Sequence, residues 1–83
     1  MAATRTDISG WLDKLYSSES LTHMVVVCDT YDWEDYPIYV AKDEDVREVA
    51  VAHSANMQRV MEVYSKSLTK EAQLAEPRAF HYE

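Results

Sequence analysis

The 83-residue chain predicts one small α+β domain, a three-stranded sheet with helices mainly on one face, in the order helix, strand, strand, helix, strand, helix. Three observations predict it. Apolar residues recur at helical spacing at Ile8, Trp11, Leu12 and Leu15. They run unbroken from Met24 to Cys28, the pattern of a short strand covered on both faces. Hydrophobic residues make up 47% of the chain, enough for one core and too much for a disordered segment.

Taken in order, residues 1–5 read as a flexible leader, and Thr6 or Asp7 supplies the side-chain oxygen that caps the first helix. Gly10 lies inside that helix at a cost of about 0.5–1 kcal/mol relative to alanine, which predicts another backbone passing close to it. The polar stretch Ser17–Ser20 is the connection to the first strand. Asp29 to Asp35 forms an acidic turn, and Tyr36 to Ala41 a second strand paired antiparallel to the first. Pro37 has no amide for a ladder, so this strand lies at an edge or begins at the proline. Ile38 and Val40 share one of its faces, Tyr39 and Ala41 the other.

The acids Asp43, Glu44 and Asp45 open the second helix on the favourable end of its dipole, with Asp43 as the cap. Its buried stripe is Val46, Val49, Ala50 and His53, and Asn56 stops it. Met57 to Tyr64 is the third strand, Val60 and Tyr64 on one face, Met61 and Val63 on the other. Residues 69–76 make a short last helix capped by Thr69 and ended before Pro77. The tail carries Phe80 and Tyr82, too apolar to stay in water, and docks on the sheet.

The chain carries a formal charge of −7. Residues 29–48 hold eight of the fifteen acids against Lys42 and Arg47, so this window alone carries −6. A balance of this sign repels nucleic acid and anionic membrane and favours a basic partner. Acids interleaved with Tyr31, Trp33, Tyr36 and Tyr39 resemble an interface, aromatics giving contact energy and charge giving steering. The expected contact surface is Tyr31, Asp32, Trp33, Glu34, Asp35 and Tyr36, extended by Asp43, Glu44 and Asp45 as spatial neighbours. A solvated turn followed by ordinary helix capping accounts for the same charges without a partner.

A second reading places a divalent cation or a cationic ligand on the carboxylates of Asp29, Asp32, Glu34 and Asp35. The segment lacks the glycine and the distal glutamate of an EF-hand loop. Cys28, the lone cysteine, closes an apolar strand and is expected to be structural. His23, His53 and His81 are scattered, without metal-ligand spacing, and there is no nucleophile elbow or phosphate-binding glycine loop. No catalytic residue, metal or cofactor is therefore expected. With no secretory signal and no apolar run near 20 residues, a soluble, cytoplasmic protein is expected. An open sheet edge and spare aromatic surface predict self-association, most simply as a homodimer.

The segment from His23 to Val40, with Asn56 to Tyr64 downstream, resembles a family of small acidic proteins encoded by bacteria and their phages, over roughly residues 7–82. The resemblance carries no catalytic residues across. It implies a phage or prophage accessory factor that binds and inhibits a larger host protein, antiviral defence components included. The expectation is thus a non-enzymatic binding protein in a bacterial host cell, acting on a host protein with a basic surface.

Overall fold

The computed structural model describes residues 3–55 and 57–83. Helix α1 (Arg5–Ser17) starts one turn earlier than its apolar stripe suggests, because Thr4 closes a reciprocal cap. The Thr4 hydroxyl accepts the Asp7 amide and the Asp7 carboxylate accepts the Thr4 amide, each at 3.1 Å. The cap is therefore Thr4, with Asp7 as its other half, in place of the expected Thr6 or Asp7. Ala3 to Arg5, expected within a flexible leader, are tied down: the Ala3 amide donates to Asp35 Oδ2 at 3.0 Å, and Arg5 reaches Tyr64 at 2.9 Å. Ile8, Leu12 and Leu15 are buried and Trp11 is half-buried. Gly10 faces solvent, and a methyl group placed on it would meet nothing within 4 Å, so no backbone passes close by.

Strands β1 (Leu21–Asp29), β2 (Glu34–Ala41) and β3 (Gln58–Ser65) form one sheet in the order β2-β1-β3, with both neighbours antiparallel to β1. The uninterrupted apolar run thus becomes the central strand, as its composition demands. Met24 and Val26 face α1, where they pack with Ile8, Leu12, Leu15, Tyr64 and Ala79. Val25 and Val27 face the other way and pack with Val40, Val63 and Val46 of helix α2 (Val46–Ala52). Helix α3 (Lys70–Leu74), capped by Thr69 as expected, joins α1's side through Leu74, so two of the three helices share a face. β2 and β3 run parallel to each other on either side of β1, so the connection through α2 crosses the central strand.

Two expectations fail for local reasons. The cap of α2 is Asp45, whose Oδ1 accepts the Arg47 amide at 2.9 Å, in place of Asp43. Its last turn ends at His53, half-buried as the C-terminal cap; Asn56 lies outside the described residues. On β3, the pairing jumps from Val26–Glu62 to Val27–Val60, leaving Met61 as an extra residue. Such a bulge reverses the alternation beyond it. Val60 and Val63 consequently share the α2 face, while Met61 and Tyr64 share the α1 face, the reverse of strict two-residue periodicity.

The tail docks on the sheet. Val63 donates to the Ala79 carbonyl and accepts from the His81 amide, both at 2.9 Å, a single parallel bridge on the outer edge of β3. Ala79 is fully buried and Tyr82 packs into the α2 side, whereas Phe80 is exposed. Glu62, two residues from Tyr64 in the regular part of β3, lies under the tail. Its Oε1 accepts from the Ala79 amide (3.1 Å), the Tyr64 hydroxyl (2.8 Å) and Arg5 (3.3 Å), three donors, one of them cationic, that offset the cost of burying the carboxylate. Pro37 sits on β2, which has β1 on one side and no partner strand on the other among the described residues.

Candidate functional site

The β1–β2 turn is built by its own acids. Asp29 pairs with Glu34 across the hairpin, leaving a four-residue loop, Thr30 to Trp33. Asp29 Oδ1 accepts the Tyr31 amide at 2.9 Å and Asp32 Oδ1 accepts the Glu34 amide at 3.2 Å, side-chain turns that short carboxylates make well. The Trp33 amide donates to the Asp29 carbonyl at 2.7 Å, and the chain returns to β2 through a left-handed backbone at Trp33, φ 59°. Glycine or asparagine fills such a position without strain; a bulky side chain there costs about 1 kcal/mol.

Trp33 is nevertheless 60% exposed, and Tyr31 beside it 78%. A third apolar residue joins them. The Met57 carbonyl accepts the Thr30 amide at 2.8 Å, and Met57 is 57% exposed on a left-handed backbone of its own, φ 68°. The sequence places Met57 inside the third strand; the strand begins one residue later, at Gln58, and Met57 lies beside the turn through its backbone bond to Thr30. Asp32 and Glu34 are exposed around these side chains. Asp35 and Tyr36 are half-buried and committed elsewhere, Asp35 to the Ala3 amide and Tyr36 to Gln58, whose amide donates to its hydroxyl at 2.7 Å.

Asp43, Glu44 and Asp45 do not belong to this surface. The eight residues of β2 separate them from the turn by roughly 25 Å at about 3.3 Å per residue, most of the molecule's 32 Å length. A short sequence connection that is itself a strand holds its ends apart. The three acids are exposed at the far end, where Glu44 Oε1 accepts the Ala41 amide at 2.9 Å and Asp45 caps α2. The window's charge divides accordingly: four acids at the turn with no base in that segment, and four at the far end beside Lys42 and Arg47.

The chemistry available elsewhere is limited by the same geometry. Cys28 is buried at the end of β1, and burial, reinforced by the hydrogen bond to Asp35 and its negative charge, pushes the thiol up, away from the thiolate a nucleophile needs. His23, His53 and His81 stand on β1, at the end of α2 and in the tail. Among the described residues no three His, Cys, Asp or Glu side chains converge as metal ligands, so Asp29, Asp32, Glu34 and Asp35 are not gathered around one point. No described helix is long and apolar enough to cross a membrane. No protein-family model, curated protein or solved structure matches the chain.

Proposed function

We propose that this is a non-enzymatic binding protein that engages a larger protein with a basic surface through the turn formed by Tyr31, Trp33 and Met57, rimmed by Asp32 and Glu34. One observation carries the reading: an indole stands mostly in water on a backbone conformation that disfavours it. Backbone strain and apolar exposure both work against stability, so the residue fits contact better than folding. The acids around it supply attraction toward a basic partner and leave the centre apolar, the arrangement of a binding hot spot with a polar rim.

The setting is a phage or prophage accessory factor that inhibits or modulates a host protein, with antiviral defence machinery as the first target class to test; this rests on the likeness of His23–Val40 and Asn56–Tyr64 to small acidic phage and bacterial proteins. A homodimer formed along the open edge of β2 belongs to the same reading, and sedimentation equilibrium tests it; a monomer at every concentration removes it.

Capture from bacterial lysate in three parallel arms tests the surface. The parent protein and a far-end variant, Asp43→Lys with Glu44→Lys, retain the same partner, while Trp33→Gly loses it. Retention of the same partner by Trp33→Gly places the contact elsewhere.

A further inference from the structure

An aromatic face in water attracts a cation, and indole offers the strongest such face among the side chains. The fold uses this attraction within the chain: the Lys14 ammonium lies 4.7 Å from the centroid of the Tyr39 ring, and the Arg47 guanidinium 4.5 Å from that of Tyr82. At the β1–β2 turn, Tyr31 and Trp33 stand two residues apart with most of their surface in water.

The carboxylates around these rings keep acceptor capacity. Asp29 and Asp32 each commit Oδ1 to a turn amide, at 2.9 and 3.2 Å. Their Oδ2 atoms and the Glu34 carboxylate form no hydrogen bond or ion pair among the described residues. Asp35 is taken up by the Ala3 amide. No lysine or arginine occurs between residues 15 and 41. Arg59, paired with Cys28 on β3, approaches this end of the sheet and offsets one of the four acids, which leaves the turn anionic.

Ring faces beside unfilled carboxylates distinguish between the two cations a basic protein presents. A guanidinium is planar and weakly hydrated, so it stacks flat on a ring while its edge N–H groups reach a carboxylate in a two-pronged bond. The ammonium of lysine holds its water more tightly and has no flat face to stack.

We infer that the turn recognises an arginine side chain of its partner, the guanidinium stacked on the Trp33 indole beside Tyr31 and held at its edge by Asp32 and Glu34. This rests on the function proposed for the turn and names the group that it contacts.

Amide and indole N–H shifts of the full chain, titrated separately with hexa-arginine and hexa-lysine peptides of equal charge, test the inference. Hexa-arginine should produce saturable shifts at Tyr31, Asp32, Glu34 and the Trp33 indole, leave the half-buried Trp11 indole unmoved, and bind about threefold tighter than hexa-lysine, the scale of one exposed cation–π contact. Trp33→Leu should bring the two peptides to equal affinity, with unchanged amide shifts along β1 as the check that the fold is kept. Equal affinity of the parent for both peptides overturns the inference and leaves a basic partner at the turn in place. A preference for arginine that persists in Trp33→Leu overturns it as well. If neither peptide shifts the turn at millimolar concentration, the inference and the proposed contact surface both fall.

Discussion

The Thr30 amide donates to the Met57 carbonyl at 2.8 Å, a bond that ties the loop of the hairpin to the residue leading into β3. It puts the two non-glycine residues with positive φ among those described, Trp33 and Met57, at the same end of the sheet, each with a large exposed apolar side chain. Two independent stretches of sequence therefore converge on the same unfavourable combination at the same place. On the proposed function, that combination serves contact with a partner.

Charge placement separates this surface from the rest of the acidic window. Asp32→Lys with Glu34→Lys should slow association with a basic partner about tenfold at low ionic strength and flatten its salt dependence. Asp43→Lys with Glu44→Lys, a change of equal charge roughly 25 Å away, should change the rate far less, because screening at 0.15 M acts over about 8 Å. Association kinetics at two salt concentrations check both, and equal slowing by the two pairs would contradict the placement.

Gly10→Ala should stabilise the fold by about 0.5–1 kcal/mol, since an exposed helical glycine with free space around it gains propensity at no steric cost. Thermal unfolding should register a rise of roughly 2–8 °C for a domain of this size. An unchanged or lower midpoint would show that α1 needs the glycine for a reason other than its own helix.

Gln73→Ala should destabilise. The side chain is fully buried, accepts the Ser65 amide at 2.8 Å, and donates to the Ser65 carbonyl and the Tyr16 hydroxyl at the same distance. Its removal leaves a buried amide unpaired, a loss of about 1–3 kcal/mol that urea unfolding can measure. A loss below about 0.5 kcal/mol would mean that the amide finds another partner.

Alkaline pH should unfold the protein ahead of what its surface charge alone would cause. Burial pushes the hydroxyls of Tyr64, Tyr16 and Tyr39 and the thiol of Cys28 upward; at Tyr64 the bond to Glu62 adds to this and Arg5 opposes it. A raised acid holds its proton in the folded state while the unfolded chain releases it. Above the ordinary values of 9 to 10 the unfolded state therefore binds fewer protons, and stability falls as pH rises. Tyr64→Phe should flatten this slope between pH 9 and 11, and an unchanged slope would remove Tyr64 as its main source.

Much of the fold was legible because it depends on pattern. The run from Met24 to Cys28 has to be covered on both faces, and the stripe from Ile8 to Leu15 has to pack on it. What periodicity cannot reveal is a single inserted residue. The Met61 bulge carries no residue-type signal, yet it moves Val60 and Met61 to the faces opposite those that alternation assigns them. Arg5 was hidden for a related reason: its partners are Tyr64, Glu62 and the carbonyls of Glu76 and Pro77, at least 57 residues away along the chain. In the site, the aromatic turn was readable from Tyr31 and Trp33. Met57 was not, since its exposure follows from a backbone conformation, and the far acids were misplaced because proximity in sequence across a strand is distance in space.

Equilibrium urea unfolding of Trp33→Gly decides whether the indole serves contact or core, and needs no partner. If Trp33 serves contact, glycine relieves the left-handed backbone, and stability holds or rises by about 1 kcal/mol with an unchanged denaturant slope. If Trp33 is part of the core, its removal costs the roughly 3–5 kcal/mol of a buried aromatic, and a loss of that size would remove Trp33 from the contact surface.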